Sequence, residues 1–216
     1  MMKRKVQGLV TREKILDSAE ILFFERGVSS TSLEDIAHAA GMTRGAIYGH
    51  FSNKWALVTA LFERSALPLD PFTIPPEKSN GATLGALRSK LERRLADVLH
   101  SGTRRRLYSI AFSTARSEGD TVCSTSTLGE AARIAQSSIE SALRLAVADR
   151  EGTDHVDYAV EAIYIHSLLT GCFHLSLLMP SHQGAEQALA SAVVGRALST
   201  LLRLPRHEEL RAIRFN

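Results

Sequence analysis

Thr31, Met42, Thr43, Arg44, Gly45, Tyr48, His50 and Lys54 fall within 24 consecutive residues. Their groups are hydrogen-bonding ones: two threonine hydroxyls, a guanidinium, a phenol, an imidazole and an ammonium. None forms a nucleophile–base pair or a metal-ligand spacing. What such a set can address is a surface of phosphates and base edges. Arg44 matches guanine, whose O6 and N7 accept two parallel bonds from a guanidinium. Gly45 and Ala46 keep the adjoining helix face slim, so the backbone can approach. Thr43 precedes a short apolar run as a helix N-cap and can present its hydroxyl to a phosphate, since a helix N-terminus attracts anions. Tyr48, His50 and Lys54 offer a hydroxyl, a ring N–H and a cation to the backbone, and Thr31 is grouped with them. Phosphate contacts position a reader and base contacts choose sequence, so selectivity falls to Arg44, with Gly45 and Met42. Singly, each residue has a plainer reading: Thr43 as a cap only, Tyr48 as a half-buried core aromatic, His50 as a surface histidine, Lys54 as a solvated charge. The combination and its spacing carry the signal.

These side chains need elements to hold them. "TSLEDIAHAAG" reads as a helix, with Thr31 and Glu34 at capping-box spacing, Leu33, Ile36, Ala37 and Ala40 as its buried stripe, and Gly41 as its stop. "TRGAIYGHF" follows after one turn, and the two make a helix-turn-helix whose second helix enters the major groove. Ile36 and Ile47 supply the shared core. "TREKILDSAEILFFERG" is predicted to start at Thr11, to stop at Gly27 and to bury Ile15, Ala19, Leu22 and Phe23. It forms the platform with Phe24 and with "SNKWALVTALFERSAL", which starts at Ser52 or Asn53 and turns Trp55, Leu57, Val58, Leu61 and Phe62 inward. The basic arm "MKRKVQGLVTREK" can lie along a neighbouring groove.

The chain has 216 residues, 44% hydrophobic, with a net charge of only +3, so a nucleic-acid surface must be local. "PLDPFTIPPEKSNG" holds four of the six prolines and marks a boundary. The expected organisation is a DNA-binding domain over 1–67, a linker over 68–81 and a second helical domain over 82–216. The second domain reads as helices "ATLGALRSKLERRLADVLHSG", "TRRRLYSIAFSTARSE", about 125–150, 154–179 and 181–204. The whole is all-α. Cys123 and Cys172 have no paired spacing and read as reduced thiols, a redox switch being the alternative. The start of the chain has no secretion signal, and "SLLTGCFHLSLLMP" reads as too short to span a bilayer, so a cytoplasmic protein with no membrane partner is expected. There is no nucleophile elbow, no phosphate-binding glycine loop and no metal pair; His166 and His174 lack the close spacing of a helical zinc site. No enzyme, cofactor or metal is expected.

The stretch from "TREKILDSAEILFFERG" through "TSLEDIA", "AAGMTRGAIY" and "HFSNK" closely resembles the DNA-binding domain of the TetR family, over about residues 9–69. It looks most like the AcrR-type branch that controls multidrug efflux pumps. The resemblance implies an all-helical homodimeric repressor with two recognition helices reading an inverted-repeat operator. Their spacing would be one DNA turn, roughly 34–36 Å. It also implies release by a small lipophilic effector. The position after the tyrosine, commonly bulky and aromatic in the family, is Gly49 here. A Lys-Cys-Glu cluster frequent in that branch is replaced by Thr114, Ala115 and Arg116.

For the second domain the residues indicate a helical bundle with a cavity. Candidate lining residues are Phe62, Leu91, Leu95, Phe112, Ile139, Leu143, Tyr164 and Leu168, with Arg116 and His166 as polar anchors; the alternative for each is plain core. "YIHSLLTGCFHLSLLMP" is apolar on nearly all sides, which predicts burial against several partners. The last helix repeats the small residues Ala188, Ala192, Gly195 and Ser199. Paired with copies in a twin subunit, these last two helices would form a four-helix interface. "RRR" at 104–106 reads as a solvated helix start, or as a segment lying near the DNA-binding domain. Other readings are a TetR-like regulator of a metabolic or lipid-related operon, or one governed by a protein partner or by redox state.

Overall fold

The computed structural model describes residues 2–76, 82–114, 125–148, 156–178 and 186–201, and every regular element among them is helical. The helices are α1 (Met2–Arg26), α2 (Leu33–Ala39), α3 (Arg44–Tyr48), α4 (Lys54–Ser65), α5 (Leu84–His100), α6 (Gly102–Thr114), α7 (Thr125–Ala146), α8 (Tyr158–Leu178) and α9 (Glu186–Leu201). They group into two compact units, Met1–Leu69 with Gly102–Ala131, and Asp70–Ser101 with Ala132–Asn216.

In the first unit α1 begins well before Thr11. No residue from Met2 onward stops a helix, and Gly8 alone weakens it. Thr11 therefore sits inside the helix, its hydroxyl donating to the Gln7 carbonyl at 2.9 Å, and the basic arm forms the first turns of α1 instead of an extended segment. The helix ends at Gly27, whose φ of +80° is a left-handed conformation that glycine adopts without a Cβ penalty. Ile15, Leu16, Ala19, Leu22 and Phe23 are buried, as the 3.6-residue period requires. Phe24, one position on, is turned out and exposed, so Phe23 alone serves the platform.

Helix α4 starts at Asn53, whose side chain accepts from the Ala56 N–H at 2.9 Å. It buries Leu57, Val58, Leu61 and Phe62, while Trp55 is half-buried. It ends at Ala66 in a left-handed conformation, φ +50°, a strain of about 1 kcal/mol or more for a residue with a Cβ. Helix α6 packs on α1. Its Tyr108 is buried, meets Phe62 edge-on at 6.5 Å and donates to the Pro68 carbonyl at 2.9 Å. The proline-rich stretch is therefore not the sole dividing line. α6, expected in the second domain, joins the first unit because Leu107, Tyr108, Ile110 and Ala111 bury their faces there.

In the second unit, stripes at helical spacing meet in one core: Leu87, Leu91, Leu95 and Leu99 of α5, Ala135, Ile139 and Leu143 of α7, Ala162, Ile165, Leu169 and Phe173 of α8, and Ala190, Val194 and Ala197 of α9. α5, α8 and α9 pack on one another. The segment after Leu69 belongs to this core and is no solvated spacer as far as residue 76. Phe72 and Ile74 are buried, the Asp70 carboxylate accepts from the Phe72 N–H at 2.9 Å, and the Ile74 N–H donates to Ser138 Oγ at 2.9 Å. Asp70 Oδ2 lies 2.9 Å from His166 Nε2, both side chains are buried, and Phe72 stands edge-on to the imidazole.

Helix α8 differs from expectation in two ways. With 21 residues it is, among those described, the one helix long and apolar enough to cross a membrane by length and composition. It is also not buried all round. Its inner face carries Glu161, Ala162, Ile165, His166, Leu169 and Phe173, whereas Val160, Ile163 and Tyr164 near one end and Leu175 and Leu178 near the other are exposed on the opposite side. On α9, Gly195 faces the chain's own α5: a Cβ there would meet the Arg88 guanidinium at 3.1 Å. Ala188, Ala192 and Ser199 are exposed.

Candidate nucleic-acid interface

The site begins with the cap of α2. Ser32, not Thr31, is the N-cap, and its capping box is with Asp35 instead of Glu34. The Ser32 hydroxyl accepts from the Asp35 N–H at 3.1 Å, and Asp35 Oδ2 accepts from the Ser32 N–H at 2.9 Å. The Ser32 hydroxyl also donates to Asp35 Oδ2 at 2.6 Å, and this bond first, with the Ser32 N–H second, holds the Asp35 carboxyl below its usual range. Thr31 is displaced from both expected roles. It is 2% exposed, and its hydroxyl donates to the Gly27 carbonyl at 2.8 Å and towards that of Leu22 at 3.4 Å. It closes the α1–α2 turn, and a side chain so enclosed cannot reach DNA.

The turn after α2 is a Schellman motif. The Met42 N–H donates to the Ala37 carbonyl at 2.8 Å and the Gly41 N–H to that of His38 at 3.0 Å. This places Gly41 at φ +67°, where a Cβ would be strained. Met42 is half-buried beside it. Thr43 caps α3, its hydroxyl accepting from the Ala46 N–H at 3.3 Å, which leaves the hydroxyl proton available for a donor bond. Ile47 is fully buried with Ile36, which fixes the roll of the short helix. Thr43, Arg44, Gly45 and Tyr48 then face solvent together, with nothing within 4 Å of a Cβ built on Gly45. Gly49 has right-handed helical angles and caps α3, so the backbone there does not demand glycine.

Arg44 has a side chain 72% exposed. Its Nε donates to Glu34 Oε1 at 2.9 Å, and its guanidinium carbon lies 5.6 Å from the centre of the Tyr48 ring. Tyr48 is exposed, and its hydroxyl donates to the same Glu34 oxygen at 3.3 Å. His50 is exposed and follows α3, next to the buried Phe51. Lys54 is spoken for within the fold. Its ammonium donates to the Ser29 carbonyl at 2.9 Å and approaches that of Thr31 at 3.5 Å, leaving one of its three donors for a phosphate.

The first unit also holds a buried acid that sequence reading missed. Glu20 has a side chain only 5% exposed. One oxygen accepts from Arg64 Nη2 at 2.8 Å and the other from Arg106 Nε and Nη2 at 2.8 and 2.7 Å. Arg64 also reaches Asp17 at 2.7 Å and Glu13 at 3.3 Å. The signal was present in the sequence: Leu16, Glu20 and Phe23 share one helix face, so an acid stood on a buried stripe. Arg106 thereby leaves the solvated "RRR" reading and joins α1.

The candidate effector residues are spread over both units. Phe62 and Phe112 lie in the first, buried and half-buried respectively; Leu91, Leu95, Ile139, Leu143 and His166 are buried in the second, where Leu168 is half-buried. Tyr164 is exposed on the outer stripe of α8, the opposite placement from a pocket wall. Arg116 and Cys123 lie outside the described residues. The Cys172 thiol is half-buried, and burial pushes its pKa up, which disfavours the reactive thiolate.

Residues 15–61 match the sequence profile of bacterial regulatory proteins of the tetR family. The HTH-type transcriptional regulator AcrR of Shigella flexneri is 41% identical over 111 residues, 51% of this chain and 52% of the relative. The HTH-type transcriptional regulator TtgR of Pseudomonas putida is 52% identical over 64 residues, 29% of this chain and 30% of the relative. The matched stretch thus spans about half the length of one curated relative and under a third of the other. Among solved structures, MexZ, a repressor responsible for antibiotic resistance in Pseudomonas aeruginosa, superposes with a TM-score of 0.72 at 26% identity, covering 88% of this chain and 94% of its own. The triclosan complex of SmeT gives 0.65 at 28% identity, covering 88% and 91%. The stretch that carries the helix-turn-helix is thus the part of the chain that matches the tetR family of bacterial regulatory proteins, and the all-helical architecture is shared with these solved repressors.

Proposed function

We propose that this chain is a ligand-responsive transcriptional repressor, not an enzyme. It binds an inverted-repeat operator as a homodimer, and a small lipophilic effector releases it. The observation that carries this reading is the exposed face of α3, where Arg44 stands beside Thr43, Gly45 and Tyr48 while Ile47 anchors the helix from behind. A multidrug efflux operon is the proposed target. MexZ is described as a repressor responsible for antibiotic resistance and SmeT as the repressor of a multidrug efflux pump, and the AcrR match extends past the helix-turn-helix.

The outer stripe of α8 supports the homodimer. Val160, Ile163 and Tyr164 near the start of α8 and Leu175 and Leu178 near its end are exposed on one side of the helix, with Leu189 exposed on α9. A twin subunit bringing the same face buries both, and that arrangement is a closed two-fold. In the proposed response, an effector favours a form of the dimer whose recognition helices no longer match successive grooves. To lower operator affinity a hundredfold it must prefer that form about a hundredfold, roughly 2.7 kcal/mol. The route within the chain is through α5, which is followed after Ser101 by α6, and α6 holds Glu20 through Arg106.

The test is selection of duplexes from a random pool by the full chain, followed by fluorescence anisotropy. Palindromic duplexes should emerge, with Arg44→Ala losing about 1–3 kcal/mol of binding and much of its selectivity. Triclosan, added as a lipophilic probe, should weaken the wild-type complex. Failure to enrich any duplex would sink the reading.

A further inference from the structure

Glu34 precedes Arg44 by ten residues, on the other side of the turn. A single oxygen of it, Oε1, takes the Arg44 Nε at 2.9 Å and the Tyr48 hydroxyl at 3.3 Å. The fold does not need this arrangement. The start of α2 is already capped by Ser32 and Asp35, and an ion pair this exposed contributes little to stability. A carboxylate on a face that meets a polyanion also opposes binding unless it improves the contact. Here it meets the guanidinium through Nε, and no other described residue bonds the terminal amino groups. Those two donors are the pair that matches guanine O6 and N7.

We propose that Glu34 is a positioning residue for base selection. It holds the long Arg44 side chain, stacked near Tyr48, with the terminal amino groups outward, so less rotamer freedom is lost when the base is engaged. It also neutralises Arg44, so that Arg44 gives little attraction to phosphate alone. Selectivity rises while sequence-independent affinity falls. The inference rests on Arg44 facing bases, as proposed above.

The experiment uses the full chain and the tightest duplex that the wild type selects from a random pool. Each guanine is replaced in turn by 7-deazaguanine, which lacks the N7 acceptor. One position should weaken wild-type binding about tenfold and leave Arg44→Ala indifferent. Glu34→Ala should cut that penalty to about threefold or less. It should also bind a scrambled duplex more tightly, with the salt slope steeper by about one phosphate's worth. Glu34→Gln keeps an oxygen for Nε and should retain the penalty. Melting temperatures of the variants should stay close to the wild type. A penalty that survives intact in Glu34→Ala, or is lost equally in Glu34→Gln, overturns the proposal. Absence of any penalty in the wild type overturns Arg44 as the guanine reader, a failure visible before any Glu34 variant is made.

Discussion

The carboxylate of Glu20 and the guanidinium of Arg106 meet at 2.7 Å across 86 residues of chain, and the other oxygen of that carboxylate holds Arg64. One buried group thereby ties α1, α4 and α6. Apolar contacts between helices tolerate sliding, but charge-assisted bonds have a set length. A shift of α6 by more than about an ångström must break the Arg106 bonds or carry α1 with it.

Arg106→Met leaves Glu20 with Arg64 as its remaining partner. The expected loss is about 1–3 kcal/mol, because a buried carboxylate is left short of donors. Urea denaturation measures it. The same variant should bind the selected duplex but release it less on addition of triclosan; an unaltered response would remove α6 from the signalling route.

Thr31 and Lys54 test the division between holding the fold and holding DNA. Thr31→Val removes the hydroxyl bond to the Gly27 carbonyl and should cost about 1 kcal/mol of stability without altering the salt dependence of duplex binding. Lys54→Met should do both: lower the melting temperature, because it unties the Ser29 and Thr31 carbonyls, and flatten the salt slope by up to about one unit. Arg44→Ala should leave the melting temperature alone.

Ile163→Glu or Leu175→Glu places a charge on the outer face of α8. Sedimentation should show a dimer for the wild type and a monomer for each variant, and duplex affinity should fall steeply because the half-sites are no longer bound together. A dimer that persists in both variants would move the interface elsewhere.

Two carboxyls give opposite pH signatures. Burial first, and Asp157 second, hold Glu161 above the ordinary carboxylate range. Below that range both states are protonated and nothing is lost. As pH rises through the window up to the folded value, the unfolded chain gives up its proton first, so stability falls. Glu161→Gln should therefore stabilise the protein at neutral pH, with the gain vanishing on acidification. Asp35, lowered by its bonds to Ser32, contributes stability that is present above its ordinary value and lost as pH falls through the folded one. Ser32→Ala should flatten that acid limb in urea titrations at stepped pH.

Much of the first unit could be read from residues alone. Gly27 and Gly41 stop their helices with positive φ, Thr43 and Asn53 cap, and Ile36 with Ile47 form the core of the helix pair. These features are local, set by one residue and its near neighbours. Misreadings came where two equivalent candidates stood side by side: Thr31 or Ser32 as cap, Glu34 or Asp35 as its partner, Phe23 or Phe24 as the inward ring. A shift of one position turns a side chain by 100° about a helix, and only packing decides which faces in. The burial of Glu20 was legible from its helix face, but its partner Arg106 and the Asp70–His166 pair were beyond local patterns because those partners lie far along the chain. Periodicity marks α8 as apolar all round but does not say which side its own chain covers.

That uneven covering of α8 bears on how the chain is made. Synthesis releases α8 before α9, at roughly 5–20 residues per second. For that interval a 21-residue apolar rod with Glu161 and His166 on one side has α5 but not yet α9 to lie against. A nascent chain cut short before Glu186 would leave bare the part of the rod that α9 covers and should be a readier target for chaperones and proteases than the completed chain.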